Sequence, residues 1–434
     1  MNSRFSSIIS SKGHILLDGA SGTHIQAYGM PTGVCPEIFV LDHPNSLIQL
    51  QSDYYKAGSD LVFTFTFGGN ETKLSHYGIS ADEAFDINYR IVKLSCEARD
   101  VSARESGGRK LYVGGDIGPT GRFLEPAGDM SFAELRDVYA RQAKALEAGG
   151  VDFYAVETMM DLMQTKAAVA GIRMVSELPI MVSMTFDKGR TLSGNTPEAA
   201  LVSLRAVGAD AFGANCSTGP EEMKEIIERA YAVASIPVIA KPNAGMPAII
   251  DGKTVFPMGA DEFGAKTAEL LRAGAVMIGG CCGTGPEHIS SLSREIDIAV
   301  ADTFRMKDRD IDDSSYISSY CRILKYDDKC FARTSVPGSP DDLADIAADA
   351  EEEGADLLIF DFDGYGEPDE ETMKEIKEAY AMTAMTATIP LGVSCASARL
   401  LEEVASVYPG KLLFAGEKSP AISDVAGRYG VKVV

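Results

Sequence analysis

Lys56-Ala57-Gly58-Ser59-Asp60-Leu61-Val62-Phe63-Thr64-Phe65-Thr66-Phe67-Gly68-Gly69-Asn70 reads as a helix end, a glycine stop, an apolar strand and a polar, glycine-rich loop. The same helix-end wording returns at Glu147-Ala148-Gly149-Gly150-Val151-Asp152 and at Arg272-Ala273-Gly274-Ala275. Working outward from these points, short β-branched or aromatic runs alternate with longer amphipathic segments from Ile15 to about Thr303. That is the pattern of parallel strands joined by crossover helices. Eight strands are predicted, at 15–20, 60–67, 111–117, 152–158, 180–186, 209–216, 237–243 and 275–280. Eight such units predict an α/β chain whose N-terminal part closes into a (β/α)8 TIM barrel. Chemistry in that fold sits on the loops after the strands' C-terminal ends. The polar punctuation falls there: Asp18-Gly19, Thr64-Phe65-Thr66, Glu157-Thr158, Asn215-Cys216, Lys241-Pro242-Asn243 and Gly280-Cys281-Cys282-Gly283.

The chain has 434 residues, 45% of them hydrophobic and 24% charged, which predicts a large core and more than one domain. Residues 1–303 are assigned to the barrel. A charged, then serine-rich stretch, 304–320, reads as a linker. Residues 321–434 form a smaller C-terminal α/β domain, with strands near 329–336, 356–361, 390–395, 412–416 and 431–434 and four helices between them. The formal charge of -23, from 63 acidic against 40 basic residues, disfavours nucleic acid and anionic lipid as partners. Residues 1–13 carry no secretory pattern, and no run approaches the roughly 20 apolar residues that span a bilayer. The expectation is a soluble, cytoplasmic protein.

Eight cysteines are too sparse for a disulfide scaffold. Cys216 falls at the end of the sixth strand, and Cys281 and Cys282 at the end of the eighth, so barrel closure brings three sulfurs to one mouth. Neighbouring residues in a strand point to opposite faces, so Cys281 and Cys282 can share a metal only if the backbone leaves β geometry. Gly279, Gly280 and Gly283 supply that freedom. Three thiolates suit Zn2+ and leave a fourth position open, the arrangement of a thiol-activating site. Small buried residues at tight turns, or a strained vicinal disulfide, are the alternatives.

The chain resembles the homocysteine S-methyltransferase family, which includes the homocysteine-binding module of cobalamin-dependent methionine synthase. The resemblance runs over nearly all of residues 13–300 on six motifs. They are Leu-Leu-Asp-Gly-Ala-Ser-Gly-Thr at 16–23, Thr-Phe-Thr-Phe at 64–67, Glu157-Thr158 with Asp161, Asn215-Cys216, Lys-Pro-Asn-Ala-Gly at 241–245 and Gly-Gly-Cys-Cys-Gly-Thr at 279–284. It implies that Cys216, Cys281 and Cys282 are zinc ligands and catalytic, that homocysteine is the thiol, and that Asn243 approaches the metal when substrate is absent. It further implies that Glu157 and Asp18 accept the substrate ammonium. Backbone N–H groups around Gly19 to Thr23, with Thr64 and Thr66, are candidates for the carboxylate; capping and turn roles are the plainer reading of all these residues.

The methyl donor is less legible. Betaine, a quaternary ammonium, calls for an aromatic cage; the chain has no Trp, and Gly68 stands where betaine enzymes resemble one another in having a tyrosine. No corrinoid motif and no dinucleotide fingerprint is present. The resemblance therefore points to a methylated corrinoid supplied in trans by a separate protein. A small donor such as S-methylmethionine, or a non-catalytic zinc or thiol-binding subunit, is the alternative. The C-terminal segment is similar to the first part of a pterin-binding barrel, but Ser394 and Ala415 replace an Asp and an Asn of that pattern and three strand-helix units are missing. No working folate site is expected there. Its inner face should be covered by the first barrel, by a second copy in a homodimer or by a corrinoid partner, unless its own helices cover both faces.

Overall fold

The computed structural model describes residues 5, 9, 12–250, 253–301, 311–327 and 329–434. Strands β1 (Ile15–Leu16), β2 (Leu61–Phe63), β3 (Tyr112–Ile117), β4 (Phe153–Met159), β5 (Ile180–Met184), β6 (Ala211–Asn215) and β7 (Val238–Lys241) are followed by a hairpin, β8 (Ala248–Ile250) and β9 (Lys253–Val255), and by β10 (Ala275–Ile278). Eight of these form one parallel sheet in the order β1-β10-β7-β6-β5-β4-β3-β2. All eight lie where the sequence places them, but β1 and β2 end sooner. Beyond their ends, Asp18, Gly19, Ala20, Phe65 and Phe67 line the mouth. The β8–β9 hairpin had no counterpart in the sequence reading.

One local device recurs at the strand entries. Gly58, Gly150, Gly208 and Gly354 take positive φ and are each followed two residues later by an aspartate. Asp60, Asp152, Asp210 and Asp356 then accept the backbone N–H of Leu16, Val113, Ile180 and Phe331 at 3.0, 2.8, 3.0 and 2.9 Å. A carboxylate caps the neighbouring strand where the ladder has no carbonyl to offer. At Asp60 this also closes the barrel, since its own N–H donates to Leu16 O at 2.7 Å across the β1–β2 seam.

The barrel's lower lumen is filled by Leu17, Leu61, Phe63, Phe153, Met181, Ile239 and Met277, and Phe5 and Ile9 from the N-terminal segment pack against them. The Phe5 and Phe153 rings meet edge to face with centroids 5.7 Å apart. A few apolar residues without a clear period in a mostly polar segment are too weak a signal to have been read as a plug.

Of the expected linker, residues 304–310 lie outside the described residues. Residues 311–320 are structured: a turn at Asp313–Ser315 leads into β11 (Tyr316–Ser318), which pairs antiparallel with β12 (Ile323–Lys325). The five remaining strands, β13 (Ala332–Ser335), β14 (Leu357–Asp361), β15 (Leu391–Ser394), β16 (Leu413–Phe414) and β17 (Lys432–Val433), form a second parallel sheet in consecutive order. Right-handed crossovers in consecutive order put all four helices on one face, so a sheet covered on both faces by its own helices is ruled out. The inner face carries Leu357, Ile359 and Leu413, and the β11–β12 hairpin covers it with Ile317, Leu324 and Tyr326. None of the three covers expected for this face had been a hairpin that spans the end of the linker and the start of the C-terminal domain.

That hairpin also carries the contact with the barrel. Ser203, on the barrel helix Pro197–Ala206, lies 3.1 Å from Ser318 Oγ, and Thr196 donates to Cys321 O at 3.1 Å. The buried Lys166 donates to Tyr408 O and Gly410 O at 2.8 and 3.1 Å. Gly410 is required here, since a Cβ would sit 1.9 Å from Ser318 O. Among the described residues no helix is long and apolar enough to cross a membrane.

Candidate active site

Strands β6 and β10 flank β7, so their C-terminal loops meet over its end. The sulfurs of Cys216, Cys281 and Cys282 all lie within 4.8 Å of one another, with Cys216 and Cys282 3.9 Å apart. Zn–S bonds of about 2.3 Å in a tetrahedron set sulfurs roughly 3.8 Å apart, so the triad fits zinc with little movement. Hydrogen bonds hold the two loops together: Cys216 N–H donates to Lys241 O, Cys281 N–H to Pro242 O, and Cys282 N–H to Asn243 Oδ1, at 3.1, 2.8 and 3.1 Å. Gly280 cannot be replaced simply, because a Cβ there would lie 2.3 Å from Thr284 Oγ1.

The departure from β geometry falls partly where glycines predicted it and partly elsewhere. Gly283 takes φ 79, but Cys216 and Ser217 also sit at φ 60 and 61, and Thr158 at φ 59. Side chains in this region cost on the order of 1 kcal/mol or more each and persist where the surroundings fix them. No sequence signal marks a non-glycine residue for this conformation.

The three thiols are electrostatically unequal. Hydrogen bonds from Cys281 and Cys282 draw the Cys216 thiol far below its usual range, and the bond to Cys216 in turn pushes Cys281 well up and Cys282 to about 11. The protein alone thus favours one negative charge on the triad. A soft divalent cation offsets the repulsion of three thiolates, which is the chemistry such a donor set suits.

Beside the cysteines opens a cavity of about 690 Å³ whose walls include Phe63, Phe65, Asp18, Asp116, Glu157 and Lys241. The Lys241 ammonium sits 3.1 Å from Glu157 Oε2 and 3.3 Å from Asp18 Oδ1, and 3.8 Å from the Phe63 ring centroid. Burial opposes its charge, but Glu157 and Asp18 outweigh burial and hold Lys241 above the usual ammonium range. Burial pushes Asp18 up to about 6, against the pull of Lys241 and of the Phe63 N–H that it accepts at 2.8 Å.

The residues singled out from sequence therefore take different places. The three cysteines, Asp18 and Glu157 converge on one cavity. Asn243 is buried within the cysteine loops and braces them. Thr64 and Thr66 are fully buried and bond to each other at 2.7 Å and to the Asp116 backbone, so their hydroxyls serve the β2–β3 seam. Sequence reasoning passed over Lys241 and Asn215, although both stand in the quoted motifs, and over Asp116 altogether. Asn215 accepts from Thr158 N–H and Ser183 Oγ at 2.8 Å each and donates toward Cys281 Sγ at 3.7 Å. The available signal was a polar or charged residue at the end of an otherwise apolar strand.

A profile of the homocysteine S-methyltransferase family matches residues 15–296. The chain belongs to the homocysteine S-methyltransferase family. Among relatives, methionine synthase from Mycobacterium tuberculosis (strain ATCC 25618 / H37Rv) is 32% identical over 413 residues, covering 89% of this chain and 34% of that protein. Methionine synthase from Mycobacterium leprae (strain TN) is 36% identical over 297 residues, covering 65% of this chain and 24% of that protein. The first match runs past the family profile into the C-terminal sheet. This homocysteine S-methyltransferase family member thus spans about a third or less of the length of these relatives. Its fold is similar to that of the metallated form of the homocysteine methyltransferase MmuM from Escherichia coli, with TM-score 0.59 and 22% identity, covering 67% of this chain and 99% of that one.

Proposed function

We propose that this family member methylates homocysteine to methionine, with zinc held by Cys216, Cys281 and Cys282. The observation that carries the reading is the convergence of three sulfurs beside a cavity that also presents a carboxylate–lysine array. Zinc, when bound, supplies a Lewis acid that keeps a thiol ionised near neutral pH, while three anionic sulfurs leave that thiol electron-rich.

The chain's own groups account for orientation. Glu157 keeps Oε2 on Lys241 and has Oε1 left for the substrate ammonium. Asp18 fixes Lys241 from the other side, and the loop from Gly19 to Thr23 lines the cavity where the carboxylate would meet backbone N–H groups. Asn243 holds the cysteine loops in register. The homocysteine sulfur takes the methyl group by in-line displacement: the S–CH3 bond forms as the donor's bond to that carbon breaks, and the donor leaves with the electron pair.

The donor is a methylated corrinoid brought by a separate protein. Two of the aromatic rings lining the cavity are already covered by cations, Phe63 by Lys241 and Phe67 by Lys73 at 4.7 Å, which disfavours a sulfonium or quaternary ammonium donor against them. The C-terminal sheet has a supporting role without folate: Ser394 Oγ donates to Asp363, and Ala415 packs against the inner-face cluster.

The test is methionine formation by the zinc-loaded full chain with free methylcobalamin, S-methylmethionine, betaine and methyltetrahydrofolate in parallel. Turnover with methylcobalamin, lost on zinc chelation and restored by zinc, is expected. Faster turnover with S-methylmethionine overturns the corrinoid assignment, and no methionine from any donor overturns the enzymatic one.

A further inference from the structure

Asn215, the last residue of β6, is fully buried and directs every hydrogen bond its amide can make to the mouth of the barrel. Its Oδ1 accepts from Thr158 N–H and from Ser183 Oγ, each at 2.8 Å. Its Nδ2 donates to Thr158 Oγ1 at 2.8 Å and toward Cys281 Sγ at 3.7 Å. The backbone N–H of Thr158 can only donate, so the amide oxygen must face it and the NH2 group must face the sulfur. One side chain thus joins the ends of β4 and β5 to the cysteine loop after β10.

What it holds on β4 is irregular. Val156 pairs with Val182 and Met159 with Met184, so Glu157 and Thr158 together oppose Ser183 alone, and the extra residue is a β-bulge. Thr158 takes φ 59, a left-handed conformation that is costly for a β-branched residue and is kept only where the surroundings impose it. The Asn215 amide grips both the N–H and the hydroxyl of this residue. Alternation along β4 turns Phe153 and Ala155 into the lumen, and Glu157 follows on the same face at the level of the cavity. The bulge begins at Glu157, so the backbone that Asn215 pins is the backbone that carries this carboxylate.

The cysteine end is fixed by the same group. Cys281 N–H is held by Pro242 O, and Asn215 supplies a hydrogen bond to the sulfur. Groups that hydrogen-bond to metal ligands orient them. Asn215 therefore stands between the two points that one small thiol must reach together, the sulfurs at one end and Glu157 at the other.

We infer that Asn215 is the positioning residue that sets the span from the zinc-binding sulfurs to Glu157, and with it the length of amino-acid thiol that the cavity accepts. Resting on the thiol-methylating reading above, this adds to it the residue that measures the substrate. Homocysteine reaches from the sulfurs to Glu157, whereas cysteine, one methylene shorter, reaches only one end at a time. A missing methylene is discriminated by about tenfold or more in sites of fixed length.

The experiment compares L-homocysteine with L-cysteine by calorimetry on the zinc-loaded full chain, as wild type and as Asn215→Ala, Asn215→Ser and Asn215→Asp. The wild type is expected to prefer homocysteine by about tenfold or more. In the first two variants the shortened side chain no longer bridges Thr158 and Cys281, and the two affinities should come within about threefold of each other. Asn215→Asp keeps an oxygen for Thr158 N–H and Ser183 Oγ and should retain most of the preference. Metal analysis and circular dichroism report that each variant is loaded and folded, and Asn215→Ser carries the comparison if Asn215→Ala does not fold. An unchanged preference in the shortened variants, or equal weakening of both thiols, leaves Asn215 a packing residue and overturns the inference. A loss in Asn215→Asp as complete as in Asn215→Ala overturns it too, because the bonds to the bulge would then not set the span. A wild type that binds both thiols alike also overturns it, whereas a wild type that binds neither sinks the thiol-site reading itself.

Discussion

Cys216→Ala and Cys282→Ala should each strip zinc from the purified chain and abolish methionine formation while leaving the barrel folded. Structural zinc sites bind with roughly 10–16 kcal/mol spread over their ligands, so one thiolate accounts for about 3 kcal/mol, on the order of a hundredfold in affinity. Metal content should fall from about one zinc per chain to a small fraction at the same free zinc. The barrel should survive because neither sulfur belongs to the hydrophobic core. The loops that carry them are tied by backbone bonds to Lys241 and Asn243 that an alanine keeps. Elemental analysis beside circular dichroism decides the matter. A folded variant with full zinc occupancy would show that the metal sits elsewhere.

The largest effect on stability is expected at Lys241. Replacing it by methionine keeps an unbranched side chain but leaves Asp18 and Glu157 without the ammonium they share. Removing one partner of a buried ion pair typically costs about 3–5 kcal/mol, much of it the penalty of the charge left behind. The deficit should depend on pH with a definite sign. Burial already lifts Asp18 from 3.8 to about 6 in the presence of Lys241, and removing the lysine lifts it further. A carboxyl whose folded pKa is raised binds its proton more tightly when folded, so stability is fullest below the unfolded pKa and falls as pH rises. The variant should therefore differ least from wild type below about pH 4 and most near neutrality. Urea unfolding at pH 4 and pH 7.5 measures both numbers. A deficit that is the same at both pH values would mean that Lys241 acts through packing alone.

Much of this was legible because local chemistry and global fold agree. Helix-ending glycines before Asp60 and Asp152 mark strand entries, and the structure shows why the aspartates recur: each caps the backbone of the strand next to it. Cys216, Cys281 and Cys282 were legible as a group because strand order in a closed barrel turns a sequence gap of 65 residues into neighbouring loops. What escaped were features with no local signature. Cys216 and Ser217 take a left-handed backbone without glycine. Lys241 reads as a polar end to an apolar strand, and only the cross-barrel positions of Asp18 and Glu157 show what neutralises it. Thr64 and Thr66 looked like substrate donors because they stand on a mouth loop, but alternation in that loop turns both inward to Asp116. The β11–β12 hairpin straddles the boundary drawn at residue 320, its first strand in a stretch with a linker's composition, and three-residue strands carry little periodicity.

The central claim is that homocysteine sulfur joins the three cysteines on one zinc, and X-ray absorption at the zinc edge tests it most directly. With the full chain loaded at one zinc, the account predicts three sulfur neighbours and one lighter atom before substrate, and four sulfurs after L-homocysteine is added. A sulfur count that stays at three in saturating homocysteine, or fewer than three sulfurs before it, would contradict the account.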